Sequence, residues 1–193
     1  LNEKFFVKVV AAHKIKDMEN NKLIAFEYIV HKLINWIKEL HPEYSDNQAL
    51  QEFNKLKLFK LHFFVSAIDS KEKGNDLLDI FNAFWALPYG PVESFVYNHL
   101  SELEIYTITS GPITQNRKIN NYFDSMHSNT RELIDKSIKQ LREENEEIVT
   151  YPAFNLVELS HQWPVWRLLY NRAQRQGKRS TEMPSELIRA STK

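Results

Sequence analysis

The sequence predicts a mainly α-helical fold: a compact multi-helix domain with a small β-hairpin around residues 105–123. Apolar residues from Leu23 to Leu40 recur at alternating spacings of three and four, which is the period of one helix face. The chain has only 4 glycines, and an all-β sandwich needs turn residues at shorter intervals. Alternation of apolar and polar residues at Ile105–Ser110 indicates one short strand.

The composition limits the class of protein. Its 193 residues carry 25 Lys and Arg against 25 Asp and Glu, so charge gives no general attraction to nucleic acid or membrane surfaces. Hydrophobic residues make up 42% of the chain, enough for a sizeable core. The absence of cysteine removes disulfides, thiolate nucleophiles and cysteine zinc sites. Because no long apolar run or signal peptide is present, we expect a cytoplasmic protein.

The first part of the chain is predicted to be helical. Residues 5–16 fit a helix or a short strand, and the helix is favoured. Asn21 is a candidate cap for the next helix, which ends at His41-Pro42. Its apolar face fits packing in the core, with presentation to a partner as the alternative. Ser45, Asp46 or Asn47 can cap a further helix that runs to about Ile68 and should be central.

The chain is organised around residues 77–100, which we predict to form a helix, a rigid corner and a second helix. The corner is Pro88-Tyr89-Gly90-Pro91. Each proline fixes its own φ and disfavours the α region for the residue before it. Gly90 can adopt backbone angles that other residues avoid. Pro91 suits the first position of the second helix, where its missing N–H costs nothing.

The remaining elements follow from caps and breakers. Residues 113–123 can pair back on the strand at Ile105–Ser110. Asn129 or Thr130 is predicted to cap a helix that ends in the acidic residues 143–147, where negative charge opposes the helix dipole. Two short helices are predicted, one at 154–161 and one that Pro164 opens, and a last helical turn is expected at residues 180–184.

The C-terminal part is basic. Seven Lys or Arg residues face two glutamates between Arg167 and Lys193, an excess of five positive charges. A solvated surface is the favoured interpretation, and the alternative is a patch that binds phosphates or an acidic protein.

No catalytic or metal-binding pattern emerges. The histidines lack the spacing of a metal-binding pair, and no glycine-rich phosphate loop is present. His62 fits a hydrogen-bonded core histidine. Ser160 and His161 are neighbours on a predicted helix and point in different directions, so they cannot act as nucleophile and base. We therefore predict a protein that is not an enzyme, with no catalytic residue, metal or cofactor.

Three separated stretches resemble the Panacea antitoxin domain. The first is similar to its KLxKLxY helix and comprises Lys57-Leu58, Lys60-Leu61 and Phe63. The second is similar to its FxAxxYGPVxxxxY core and comprises Phe84, Ala86, Tyr89-Gly90-Pro91-Val92, Tyr97 and Leu100. The third is similar to its LxxLTHxxxxW element and comprises Leu156, Leu159, Ser160, His161 and Trp166. Phe63, Leu87 and Ser160 depart from the usual Tyr, Trp and Thr, without a change in packing chemistry.

The resemblance implies a helical bacterial or phage-associated antitoxin that neutralises a co-encoded toxin by direct protein–protein binding. A related branch of the family delivers its toxin to a ClpXP-type protease, so such a protease is a possible second partner. The resemblance supplies no catalytic residue or metal. It also implies two regions, an N-terminal helical extension at 1–44 and a Panacea-like helical domain at 45–193.

We expect the motif residues to form a shared groove that contacts the partner. Its members are Tyr89, Gly90, Pro91, Val92, Tyr97, His161 and Trp166. Tyrosine and tryptophan dominate the energetics of protein interfaces. The alternatives are a nucleic-acid-binding regulator, a hydrolase without a recognisable motif, and a mobile-element protein with a host target. Nucleic acid is the less favoured partner, and no membrane is expected.

Overall fold

A computed structural model of the chain describes residues 2–70 and 74–191, with side chains from residue 17 onwards. Helices dominate it, which confirms the mainly α fold class. The α-helices are α1 Asn2–Leu40, α2 Asp46–Gln51, α3 Lys55–Ile68, α4 Leu77–Ile80, α5 Ser94–Asn98, α6 Ser128–Glu144, α7 Ala153–His161, α8 Pro164–Arg175 and α9 Ser185–Ser191. The strands are β1 Phe84–Leu87, β2 Gly90–Glu93, β3 Tyr106–Thr107, β4 Thr114–Gln115 and β5 Thr181–Glu182. Short 3₁₀ turns lie at Leu100–Glu102, Tyr122–Ser125 and Ile148–Thr150.

Helix α3 is the centre of the fold, as its apolar sequence predicts. Every residue from Lys57 to Ala67 is buried. The helix packs against α6, α7 and β2, with α1 and α4 as further neighbours. A helix that is apolar on all sides is stable only when it is covered on all sides, and these elements supply the cover.

Helix α1 is one continuous helix that ends at Leu40, just before Pro42. The predicted cap at Asn21 is therefore wrong. The helix continues because residues from Leu23 to Ile37 are largely buried and packing outweighs a weak local stop signal. The favoured core role of this face is confirmed. The division of the chain at residue 44 stays a prediction.

The single helix predicted up to Ile68 is two helices. Ser45 caps α2 in a capping box with Gln48, and Asn54 then caps α3 by accepting a hydrogen bond from the Lys57 N–H. Between them the backbone pairs with the 109–113 segment: the Ile113 N–H donates to the Phe53 carbonyl over 3.0 Å. These hydrogen bonds to a backbone segment distant in sequence interrupt the helix. The local sequence alone does not predict this break.

The predicted helix–corner–helix at residues 77–100 is wrong. Helix α4 has only four residues, and β1 and β2 form an antiparallel hairpin closed by Pro88 and Tyr89, with Leu87 opposite Gly90. Burial alternates along β1, where Phe84 and Ala86 are buried while Trp85 is exposed and Leu87 is half-buried. The prolines exclude the α region on both sides of the turn, so this apolar run forms strands instead. The second predicted helix is reduced to α5, which begins after Glu93.

Strand β5 pairs with the other side of β1, so the sheet order is β2-β1-β5. Pro91 therefore lies on an edge strand, where a missing N–H is tolerated. The last helical turn is predicted at the wrong position, residues 180–184. Thr181–Glu182 forms strand β5, and the last helix, α9, begins at Ser185.

The hairpin predicted around residues 105–123 is confirmed, although its strands are short: Tyr106 pairs with Gln115 and Thr107 with Thr114. Helices α7 and α8 lie where the sequence predicts them. Helix α6 begins at Ser128, with His127 at the N-cap and no side-chain cap bond, so the predicted cap at Asn129 or Thr130 is wrong. None of the helices in the described ranges has the length and apolar character that spanning a bilayer requires.

Buried Glu27 on α1 anchors the small hairpin. One carboxylate oxygen accepts hydrogen bonds from the Ile105 N–H over 2.6 Å and the Tyr106 N–H over 3.1 Å, and the other accepts from the Tyr122 hydroxyl over 2.7 Å. No lysine or arginine of the described residues pairs with it. The carboxylate is therefore held by neutral donors alone, each of which would be left unpaired without it.

We predict that Glu27→Leu lowers the free energy of unfolding by about 3 kcal/mol or more, because two backbone N–H groups and one hydroxyl lose their acceptor inside the core. Urea denaturation measures this. Exposed Glu132 on α6 provides the control, and Glu132→Leu should change stability by less than about 0.5 kcal/mol. Equal effects of the two substitutions would contradict the anchoring role.

Candidate protein-binding site

A buried lysine ties α3 to the β1–β2 hairpin. The Lys60 side chain is fully buried, and its Nζ donates a hydrogen bond to the Pro91 carbonyl over 2.6 Å. No carboxylate of the described residues forms an ion pair with it. Burial lowers the pKa of Lys60 to about 7, because a charged ammonium is poorly solvated there.

Gly90 presses the same hairpin against α7. Its φ is +90°, in the region that favours glycine. A Cβ at this position would overlap the Ser160 hydroxyl and lie 3.0 Å from Lys60 Nζ. Ser160 itself is buried and donates to the Val157 carbonyl over 2.8 Å. We call Lys60, Gly90, Pro91 and Ser160 the hairpin clamp.

A stack of rings supports the turn from the other side. His161 and Trp166 stack with centroids 3.9 Å apart, and Trp166 stacks on Tyr170 at 4.9 Å. The Trp166 indole N–H donates to the Leu87 carbonyl over 3.1 Å. Burial lowers the pKa of His161, while Glu158 and a hydrogen bond to the Pro88 backbone oppose that shift. The turn between Leu87 and Gly90 is thus fixed by α7 and α8.

The fixed turn projects one aromatic side chain outward. Tyr89 is 61% exposed and meets Phe154 of α7, which is 66% exposed, edge to face at a centroid distance of 6.4 Å. We call these two residues the aromatic pair. Large apolar groups that remain this exposed in contact with each other are candidates for contact with another protein.

The other residues that we expected in the groove lie in more than one part of the structure. Pro91 is buried and Val92 half-buried, facing Trp85 across the hairpin. Tyr97 lies on α5, where its ring is 5.5 Å from that of Phe59, and Lys55 Nζ lies 5.0 Å from its centroid. Within the described part of the chain, no hydrogen bond or ring contact joins Tyr97 to His161 or Trp166. Direct contacts therefore join the hairpin turn to the His161–Trp166 stack, whereas the ring contacts of Tyr97 are with Phe59 and Lys55 of α3.

A protein-family model matches the part of the chain that contains the hairpin clamp. The model of the family described as antitoxin SocA-like, Panacea domain, matches residues 58–167. The chain belongs to this family. The match runs from α3 to the start of α8, so it includes the clamp, the stacked pair His161 and Trp166, and the aromatic pair. Searches among curated proteins and among solved structures give no significant match.

Two features of this Panacea domain were not recognisable as site elements in the sequence. Lys60 reads as one of several lysines on an apolar helix, and only the position of the Pro91 carbonyl shows its role. Phe154 stands four residues before Glu158, which places it on the polar face of α7. An aromatic residue on a polar helix face is the one signal that could have identified it.

His62 is buried in the Panacea domain but is not hydrogen-bonded, so that prediction is wrong. Neither ring nitrogen has a partner in the described part of the chain. Aromatic rings surround it instead, with Phe81 at 4.3 Å and Phe26 at 5.0 Å between centroids. Burial lowers its pKa to about 3, so the ring is neutral. Within the described ranges no group of three or more His, Asp or Glu could hold a metal ion.

Not every basic residue of the C-terminal part is an exposed charge without a carboxylate partner. Arg189 of α9 binds Asp76 through two hydrogen bonds of 2.9 Å and also contacts Asp79, so this arginine fastens α9 to α4. The basic residues from Arg167 to Arg179 are exposed. Lys193 lies outside the described residues.

We predict that Gly90→Ala destabilises the protein by about 3 kcal/mol or more, because the added Cβ meets Ser160 and the positive φ strains an alanine. Thermal unfolding followed by circular dichroism measures the loss. Gly111→Ala is the matched control: its Cβ would meet nothing closer than 3.8 Å, so stability should change by less than about 1 kcal/mol. Adding Ser160→Ala should restore part of the loss, since the overlapping hydroxyl is then gone. A Gly90→Ala protein as stable as the Gly111→Ala control would contradict the clamp.

We predict that the clamp makes stability depend on pH. The pKa of Lys60 is about 7 in the folded protein and rises to its usual 10.5 on unfolding. Between these values the unfolded chain binds the additional proton, so the free energy of unfolding rises with pH, by at most about 1.4 kcal/mol per unit. Lys60→Met should remove this rise from pH 7 upwards. Urea denaturation at a series of pH values measures it.

Lys57 is the control for this measurement. Its pKa is lowered to about 8, again chiefly by burial, so Lys57→Met should flatten the profile only above about pH 8. A Lys60→Met profile parallel to that of the unmodified protein would show that Lys60 does not change its charge on folding.

Proposed function

We propose that this protein is an antitoxin that neutralises a cognate toxin by binding it directly in the cytoplasm. The observation that carries the proposal is membership of the Panacea family, whose description names an antitoxin. The family also suggests a role without catalysis. The structure supports a binding role with an exposed aromatic pair on a rigid turn.

The aromatic pair has the properties of an interface anchor. Tyr89 offers a large apolar ring with a hydroxyl that can hydrogen-bond, and Phe154 extends the apolar area beside it. The clamp and the ring stack already fix the backbone of the turn. Binding therefore orders few additional groups, and this lowers the entropic cost of association. We propose that the toxin contacts this pair, while the buried motif residues serve to present it.

Capture of the partner tests the function. The tagged protein, expressed in its native host, should retain one stoichiometric protein whose gene lies next to its own. That partner should be toxic when expressed alone and harmless when both are expressed. Co-purification of a ClpXP-type protease would identify the protein as a proteolytic adaptor. Absence of any partner, with steeply salt-dependent DNA binding instead, would contradict the proposal.

We predict that Tyr89→Ala or Phe154→Ala weakens toxin binding by about tenfold or more, because central aromatic anchors account for much of an interface's binding energy. Isothermal titration calorimetry with the captured toxin measures the change, and co-expression growth assays should show the toxicity return. Both side chains are exposed, so the unfolding temperature should stay the same.

Leu168→Ala provides the matched control, because Leu168 on α8 is 66% exposed, as Phe154 is. It should alter the toxin affinity by less than about threefold. If all three substitutions weaken binding equally, or none does, the aromatic pair is not the contact surface.

A further inference from the structure

A second surface of the molecule is an apolar groove of about 480 Å³, away from the aromatic pair. It lies between α3, the end of α6 and the junction of α7 and α8. Its apolar walls include Phe64, Ile68, Leu141 and Leu159, and Glu144 stands at its edge. We call it the acidic groove.

Among the described residues, no cation balances the negative charge at this groove. Helix α6 ends at Glu144, so the partial negative charge of the helix C-terminus adds to that carboxylate. The basic residues nearby pair with its neighbours: Lys139 with Glu143 and Arg142 with Glu146. Glu144 accepts only a 3.4 Å hydrogen bond from the Gln140 amide, and no Lys or Arg of the described residues pairs with it.

An aromatic side chain forms part of the groove wall. The Trp163 side chain lines the groove, and its indole Nε1 is buried with no hydrogen-bond partner in the described part of the chain. Its ring is held in place by Phe63 and Phe64, at centroid distances of 5.1 and 5.9 Å.

The same molecule exposes a face with the complementary chemistry. Pro164, which lines the groove, is followed on one stripe of α8 by Leu168, Arg172 and Arg175. Leu168 is 66% exposed, and neither arginine forms an ion pair with a carboxylate of the described residues. We call Leu168, Arg172 and Arg175 the basic face. An apolar group flanked by guanidinium groups matches an apolar groove with an uncompensated negative edge.

We propose that the acidic groove of one molecule binds the basic face of a second copy, and that a two-fold axis repeats the contact in reverse. The groove and the face adjoin each other along α8. Two adjoining patches of opposite charge are self-complementary when the second molecule is turned by 180°, which is the geometry of a closed dimer. Leu168 then enters the groove, and the arginines face Glu144 and the C-terminus of α6. Tyr89 and Phe154 belong to neither surface, so dimerisation does not depend on toxin binding.

Sedimentation velocity of the full chain tests this proposal. The protein should form dimers whose fraction rises with concentration and falls with salt, since exposed charge pairs are screened. A monomer at all concentrations would overturn it. Open-ended assemblies would also overturn it, because they indicate a contact that does not close around a two-fold axis.

Substitutions that reverse the charge of individual side chains test which residues form the dimer contact. Glu144→Arg should raise the dimer dissociation constant by about tenfold or more, and so should Arg172→Glu combined with Arg175→Glu. In a homodimer of either variant, side chains of like charge face each other at both symmetry-related contacts. An equimolar mixture of the two restores opposite charges at both, so a heterodimer should form with the affinity of the unmodified protein.

Glu143→Arg is the control, because it changes the charge of the same acidic run equally but does not line the groove. It should leave the dimer intact, and thermal melts should show that every variant is folded. Equal losses from Glu143→Arg and Glu144→Arg would overturn the groove contact in favour of long-range attraction. A monomeric protein whose toxin binding is lost on Glu144→Arg would assign the groove to the toxin and also overturn the dimer.

Discussion

The hydrogen bond from Lys60 to the Pro91 carbonyl is the interaction on which the domain depends. A lysine side chain without a counter-ion is costly to bury in its charged form, and the fold nevertheless places one at the junction of α3, the hairpin and α7. Gly90 permits the close approach there, because its missing Cβ leaves room for Ser160. The three stretches that carry the family resemblance thus meet around one buried amine. Most of their residues build the fold, and few are free to touch a partner.

The residues that hold the turn in place are different from those that we propose to contact the partner. The clamp and the His161–Trp166 stack hold the turn, so the position of Tyr89 is set by side chains that are buried or half-buried. A binding surface presented in this way is rigid before the partner arrives. Residues that determine which partner binds can then vary around the turn without disturbing the core.

Most helices could be predicted from the sequence, because period, caps and prolines are local signals. Leu23–Leu40, α7 and the Pro164 start of α8 are examples. The β1–β2 hairpin could not, because its apolar run fits a helix face as well as a strand. Its outer partner β5 comes almost a hundred residues later in the chain. The clamp was hidden for the same reason: Lys60, Gly90 and Ser160 are distant in sequence, and their contacts exist only after folding.

Hydrogen exchange of the protein alone and with its captured toxin tests the central claim most directly. We expect binding to slow exchange in the Leu87–Gly90 turn and in the first turn of α7. Exchange in α3 should not change, because its amides are already buried and hydrogen-bonded. Protection confined to α1 or to α8, with the turn unaffected, would contradict the claim that the clamped turn presents the binding surface.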